Sequence, residues 1–555
     1  MSRTLRTVLL FVVLSLVLSG AALAQDATFM GKTAAELFPG AQTDLERDSA
    51  MTALLAANLP DGTSRFAGQT LTVAVQQAGA RGGISGPYYF WRDAFEAATG
   101  ATLDIVEIPQ GQFYTTTEID FQTSQNTYDV MNIGAWYLGN YITNNWIQPV
   151  EPYFGQEGYP VWEPDQVAAP IQELLKWQGT YYGVLNDGDA QQLYFRKDIL
   201  DSPEWQAAFE AEMGMPLPNP PTTWQELLAV TSFFNGKDWN GDGDPDDGIS
   251  LHLRSGGQGH FHYVSVAAPF VITPGEGDDV RAVSQFDNIF WFDPTDMTAL
   301  ANQPGHVAAL EYLQQLTATG SPSQTGWELG EAWDNFLRGN AIATFSWGDV
   351  GSLAQRPERS NIQGLLGSAR IPCSERWYDR EAGAFVEDSE NPNCVGNVTG
   401  GSWYPVLSAF SEEADLGYYF MAMQANRNIN FWNTTAGWTG VDPSSLYHLF
   451  APRGTATLED YTKFGFNASD AEQYITAYGE NLFSFPITLP YLRIPGTVEY
   501  WEILDTRLAE VMTGQLEPQA ALDLVASEWE VVTDDLGRDS QLSIYQQAIG
   551  YVPAA

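Results

Sequence analysis

Leu71-Thr72-Val73-Ala74-Val75 has the alternation of a strand, and the residues after it decide the fold. A Gly-rich loop, Gly79 to Gly86, comes next. Pro87 then starts a helix with Trp91 and Phe95 on one face, Gly100 ends it, and Thr102 to Ile108 returns as a strand. Strand, helix and strand in that order form a β-α-β unit, the building block of a parallel sheet. The loop lacks the G-x-G-x-x-G spacing, so it is not a dinucleotide fingerprint. Further along, Tyr128-Asp129-Val130-Met131-Asn132-Ile133 reads as another buried strand, running into Gly134-Ala135-Trp136-Tyr137. Open α/β sheets bind ligands at the carboxyl ends of their strands, which makes the position of Trp136 informative.

The C-terminal region is helical. Leu522, Val525, Trp529, Val532 and Leu536 form one apolar stripe, and Tyr500, Leu504, Leu508 and Met512 form a second, which Gly514 is placed to end. At the other end, Arg3 and Arg6 precede an apolar run from Val8 to Leu18, and Ala22-Leu23-Ala24 supplies small residues for a cut before Gln25. Those three parts are the order of a secretory signal peptide over residues 1–24. The run is too short to span a bilayer, which needs about 20 residues. Residues 25–65 read as a polar N-terminal extension with a helical pattern around Leu45 to Leu55.

The 555 residues exceed what one ordinary core accommodates, so two or more domains are expected. With 25 basic and 69 acidic residues the net charge is -44, a field that repels nucleic acid and anionic lipid. Cys373 and Cys394 are the only cysteines, and in an oxidising compartment they are expected to pair across a polar, turn-rich segment.

Tyr128-Asp129-Val130 and Trp136 are followed by Trp146-Ile147-Gln148-Pro149-Val150-Glu151-Pro152-Tyr153. Gly179-Thr180-Tyr181-Tyr182-Gly183-Val184 then precedes Leu193-Tyr194-Phe195-Arg196-Lys197-Asp198. Pro221-Thr222-Thr223-Trp224-Gln225-Glu226-Leu227, the segment Phe336 to Ala343, and Gly400-Gly401-Ser402-Trp403 come after them. In this order the stretches resemble extracellular solute-binding proteins of family 1, the sugar-capturing components of ABC importers. The first group looks like the family's strand, cleft loop and proline-tyrosine stretch, and the second like its first crossover. Leu185 replaces the usual proline, and the chain is longer than typical members. The resemblance implies an α/β periplasmic binding protein of type II, with two α/β lobes, a hinge and an interlobe ligand cleft. One lobe is expected over 66–185 and 340–398, the other over 190–335 and 402–555.

A sugar presents apolar C–H faces and a rim of hydroxyls, so its site combines aromatic walls with a few polar acceptors. Under the family layout the candidates for ligand contact are Trp136, Asp187, Asp189, Trp347, Asp349 and Trp403, each following a strand or crossover, together with Trp438 and Asp442 in a Gly-x-Asp-Pro loop. A metal signal lies elsewhere. Asp238, Asn240, Asp242 and Asp244 lie in a stretch that matches the opening of a D-x-N-x-D-G calcium loop; Ile249 stands where the closing glutamate belongs, so Asp246 or Asp247 would have to close the shell. A structural Ca2+ is therefore expected there. His260 and His262 share one side if their segment is a strand, but two histidines alone do not make a zinc site.

The functional expectation is a non-enzymatic, monomeric periplasmic protein that captures a carbohydrate or polyol. It would deliver that ligand to an ABC transporter permease in the inner membrane. The competing expectations are an exported glycan-active enzyme with paired carboxylates, and the same binding fold serving a non-sugar ligand. A phosphorylated ligand should need Arg or Lys near it, and the candidate loops carry neither.

Overall fold

The computed structural model describes residues 27–78, 82–272, 289–397, 402–483, 487–488 and 491–551. The leader expected over 1–24, and Gly400-Gly401 of the second crossover, lie outside the described residues. The chain divides into two compact units. Unit 1 comprises residues up to Asn132, Gln148–Pro164 and Pro405–Gly440; unit 2 comprises Ile133–Ile147, Asp165–Tyr404 and Val441 onward.

Unit 1 is built on the expected β-α-β element. Strand Thr70–Gln76 pairs in parallel with Thr102–Ile108, from Thr70 opposite Thr102 to Gln76 opposite Ile108. The helix between them, Ser85–Thr99, begins two residues before Pro87 and buries Trp91 and Phe95. Gly100 ends it with φ +71°, a left-handed conformation that suits glycine, and its N–H caps the Glu96 carbonyl. The sheet has five strands in the order Thr102–Ile108, Thr70–Gln76, Val130–Ile133, Tyr404–Ser408 and Ile147–Gln148. The extension belongs to this unit. Its helix Asp44–Ala57 starts at a Thr43 cap that accepts the Glu46 N–H, and Phe38 stacks on Phe90 at 5.1 Å.

Unit 2 carries a four-stranded sheet in the order Asp247–Ile249, Ala341–Ser346, Gln192–Arg196 and Leu366–Ala369. The first two strands are parallel, while Ala341–Ser346 and Leu366–Ala369 both run antiparallel to Gln192–Arg196. This pairing corrects the expected lobe boundaries. The expectation joins 340–398 to 66–185, but Ala343 sits opposite Phe195 and opposite nothing in the other sheet. Conversely, Tyr404–Ser408 joins the five-stranded sheet, so residues 405–440 belong to unit 1 and not to a lobe running from 402 to 555.

The C-terminal helices Thr497–Met512 and Pro518–Asp535 pack together through the stripes read from the sequence. Tyr500, Leu504 and Leu508 meet Leu522, Val525 and Trp529; the Trp529 indole N–H donates to the Tyr500 carbonyl at 2.9 Å. Gly514, at φ +70°, follows the first helix and donates to the Val511 carbonyl. Cys373 and Cys394 are joined in a disulfide that brackets the hairpin Arg376–Asp379 and Ala384–Glu387. Among the described residues, no helix is long and apolar enough to cross a membrane.

Candidate functional site

Three of the carboxylates singled out from the sequence meet inside unit 2. Asp187, Asp189 and Asp442 each place an oxygen within 4.8 Å of the others, and their exposures are 1%, 5% and 1%. Hydrogen bonds from the backbone orient them. The Asp442 N–H donates to Asp187 Oδ1 at 2.8 Å, the Ser402 N–H to Asp189 Oδ2 at 3.0 Å, and the Gly348 N–H to Asp442 Oδ2 at 2.7 Å.

The loops that carry these groups are held close by glycine and by tyrosine. A methyl group on Gly188 would lie 2.3 Å from Ser444 Cβ, and one on Gly348 would lie 2.7 Å from the Asp442 carboxyl. Helix Ala468–Phe483 presents Tyr474 and Tyr478 one turn apart. Tyr478 donates its hydroxyl to the Gly188 carbonyl at 2.7 Å, and Tyr474 donates to the Gly348 carbonyl at 2.9 Å.

Burial dominates the electrostatics of the cluster. It pushes the Asp187, Asp189 and Asp442 carboxyls well above the usual carboxylate range, and their mutual repulsion adds to the effect. Asp349, which keeps some solvent contact, is raised by enclosure of its carboxyl to about 7, and its charge acts on the other three. Such a group of acceptors suits hydroxyl donors or a cation and rejects anions.

An aromatic network includes the chain neighbours of Gly348 and Ser402, which orient the cluster. Trp136, in the turn after strand Val130–Ile133, meets Trp403 at 5.0 Å, Phe261 at 5.6 Å and Tyr491 at 5.7 Å. Phe261 meets Trp347 edge-on at 6.1 Å. Trp403 follows Ser402 and Trp347 precedes Gly348, the two residues whose N–H groups bind Asp189 and Asp442. Strand ends thus bring Trp136, Trp347 and Trp403 together with the carboxylate loops in one unit.

Comparison with known proteins bears on the family and the fold. Residues 91–446, more than half of the chain, match the family described as bacterial extracellular solute-binding protein. The chain belongs to that family. Solved structures share the fold of this solute-binding protein. One is an ABC transporter solute-binding protein from Agrobacterium radiobacter K84 in complex with ribitol, 20% identical, with a TM-score of 0.60 over 84% of this chain and 99% of that one. A second, from Agrobacterium vitis S4 with bound D-mannitol, is 17% identical with a TM-score of 0.60 over 84% and 99%. A third, maltose-bound T. maritima MalE3, is 16% identical with a TM-score of 0.58 over 83% and 99%.

The remaining candidates of the solute-binding protein are placed elsewhere. Trp438 sits in unit 1, packed on Phe90 and Trp432, with its indole N–H donated to Glu46 Oε1 at 2.8 Å. In the calcium-motif loop, Asn240 Nδ2 donates to Asp246 Oδ1 at 2.6 Å and to Asp242 Oδ2 at 3.2 Å. Asp238 Oδ1 accepts the Gly241 N–H, Asn240 Oδ1 the Asp242 N–H and Asp242 Oδ1 the Asp244 N–H. Asp246 takes the Trp239 and Asn240 N–H groups, and Asp247 accepts from Asn335. Among the described residues, the set of three carboxylates that does converge is Asp187, Asp189 and Asp442. Oxygens of the motif thus accept N–H groups of the loop's own backbone.

His260 and His262 lie on a helix, His260–Val271, and not on a strand. His262 Nε2 is 2.8 Å from His252 Nδ1, and burial lowers both imidazoles, His252 to about 3, so the pair stays neutral. Sequence reasoning missed Phe261, Tyr491, His252 and Ser402. Phe261 and Tyr491 carried no local signal. Ser402 was visible only as the residue after the glycine pair, and it adopts φ +41°, an uncommon conformation for a residue with a side chain.

Proposed function

We propose that this solute-binding protein captures a carbohydrate or polyol and delivers it to an ABC transporter permease of the inner membrane, acting in the periplasm as a non-enzymatic monomer. The observation that carries this reading is the placement in one unit of three buried acceptor carboxylates and a three-tryptophan network joined through Phe261. Indole rings cover the C–H faces of a sugar, and carboxylates accept from its hydroxyls. Asp187, Asp189, Asp349 and Asp442 are the proposed acceptors; Trp136, Trp347 and Trp403 are the proposed walls. The ribitol- and mannitol-bound relatives motivate the choice of polyols as first ligands to try.

Isothermal titration of the mature protein with ribitol, mannitol and maltose tests the reading. A saturable heat with one of them, lost in Trp403→Ala, supports it. Hydrolysis products released by the pure protein would instead support the exported glycan-active enzyme. Failure of these and of a wider saccharide panel would leave the fold serving a non-sugar solute.

A further inference from the structure

We propose that Asp187, Asp189 and Asp442 bind one hard divalent cation of the calcium class. Points no more than 4.8 Å apart fit around a common centre at about 2.8 Å or less, and calcium takes oxygen ligands at roughly 2.3–2.6 Å, so a shift of a few tenths of an ångström completes the contact. The donor set is all oxygen and all carboxylate, which suits calcium and not the nitrogen- and sulfur-seeking metals. Each carboxylate is already aimed by one backbone N–H from a loop that Tyr474 or Tyr478 or a close glycine contact holds in place.

Independent observations point to something more than an acidic cluster. Asp442 Oδ1 is buried and has no hydrogen-bond partner. Ser402 Oγ is likewise fully buried and without a partner, on the residue whose N–H already binds Asp189. Leaving a buried oxygen unmatched costs about 1–3 kcal/mol, more for a charged group. The charges that act on Asp187, Asp189 and Asp442 are those of other carboxylates, with no lysine or arginine among them. A divalent cation supplies the missing charge and takes up the unmatched lone pairs in one step. Its remaining coordination positions are open to water or to vicinal hydroxyls of a solute.

This site shares residues with the proposed solute site, but cation binding is measured without solute, so the two readings fail separately. The experiment is a titration of the metal-stripped mature protein with Ca2+ by calorimetry, together with Tb3+ luminescence excited through tryptophan, since Trp347 and Trp403 are next in the chain to Gly348 and Ser402, whose N–H groups bind Asp442 and Asp189. The expected result is one cation per protein, with affinity reduced at least about tenfold in Asp442→Asn and in Asp189→Asn, as ligand charge count sets affinity. Asp242→Asn in the acidic loop should leave it unchanged. Circular dichroism verifies that each variant is folded, and the second cluster variant stands if the first is not. Absence of binding at millimolar Ca2+, or binding that survives both cluster variants, or loss in Asp242→Asn, overturns the proposal. Polyol binding that persists in EDTA while Ca2+ does not bind would overturn it and leave the solute reading standing. Ca2+ binding with no polyol binding would support the cation site and remove the polyol.

Discussion

Asp442→Asn separates charge from shape at the carboxylate cluster. The two side chains have nearly the same volume, and an amide oxygen can still accept the Gly348 N–H that Asp442 Oδ2 receives at 2.7 Å. Two unit charges 4.8 Å apart, the outer limit between these oxygens, repel by about 3.5 kcal/mol at an effective dielectric of about 20. Asp442 takes part in two of the three repulsions within the triad, so full ionisation would make the relief about 7 kcal/mol. Partial protonation reduces the relief below that of full ionisation, because buried carboxyls take up protons in preference to bearing the repulsion. The folded protein holds these protons above the ordinary carboxylate value of 3.8, to about 7 at Asp349 and well above 3.8 at the other three. A raised folded value means that the folded state binds more protons than the unfolded one. Stability is then lost as pH rises from 3.8 through the folded values. In EDTA, the difference in Tm between Asp442→Asn and the parent protein should therefore favour the variant and widen from about pH 5 to about pH 8. Relief of about 2 kcal/mol in a unit of this size corresponds to about 2–3 °C. Paired thermal melts across that range measure it. A difference that stays constant with pH, or a variant less stable at every pH, would refute the account of the cluster as mutually repelling charges.

Gly188→Ala forces a methyl to within 2.3 Å of Ser444 Cβ, where ordinary carbon contacts are about 3.5–4.0 Å, so the Asp187 and Asp442 loops must part. We expect a cost of about 1–3 kcal/mol with weakened solute binding and an unchanged far-UV spectrum; unaltered affinity would show that the loop spacing does not matter. Replacing Cys373 and Cys394 together by serine opens a link between residues 21 apart and should lower stability by about 3 kcal/mol in chemical denaturation. Asp238→Asn with Asp242→Asn should melt at the parent protein's temperature in calcium and at the parent's temperature in EDTA, because those carboxylates are engaged by the loop's own N–H groups. A calcium-dependent loss of stability confined to that variant would establish a metal in the loop after all.

Legibility in the sequence tracked the range of the interactions. The β-α-β element was legible because Gly100, the Trp91 and Phe95 face and the two flanking apolar runs lie within forty residues of one another. The C-terminal stripes were legible for the same reason. The allocation of 340–398 was not, because a strand's composition does not name its neighbour. Ala341–Ser346 is buried throughout and would suit the middle of either sheet; its register with Gln192–Arg196 is set by contacts about 150 residues away. Asp187, Asp189, Asp349 and Trp136 stood out as candidates because they come after strands or crossovers in the sequence. Phe261 was hidden because it comes from a helix whose histidines suggested a strand. The calcium motif has two readings for a physical reason. Asp and Asn at alternate positions with glycine favour tight turns in which each side chain accepts an N–H two or three residues on, and the same pattern serves an ion only when a further carboxylate closes the shell. Ile249 stands at that closing position.

The buried cluster also indicates how stability and binding are coupled in this protein. Ionised carboxylates without a counter-charge raise the free energy of the ligand-free state, and any partner that offers a positive charge or several hydroxyl donors removes that penalty on binding. Binding to the folded state alone raises its stability by an amount that depends on ligand concentration over Kd, so the penalty returns as a large thermal shift. Asp442→Asn should consequently move two quantities in opposite directions. The ligand-free melting temperature rises while the shift on adding Ca2+ or polyol shrinks. A change that merely loosened the fold would lower the first, and a change that merely removed a contact would leave it unaltered. Only a group whose charge opposes folding and favours binding produces both signs at once, and the unpartnered Asp442 Oδ1, enclosed among other carboxylates, is placed to be that group.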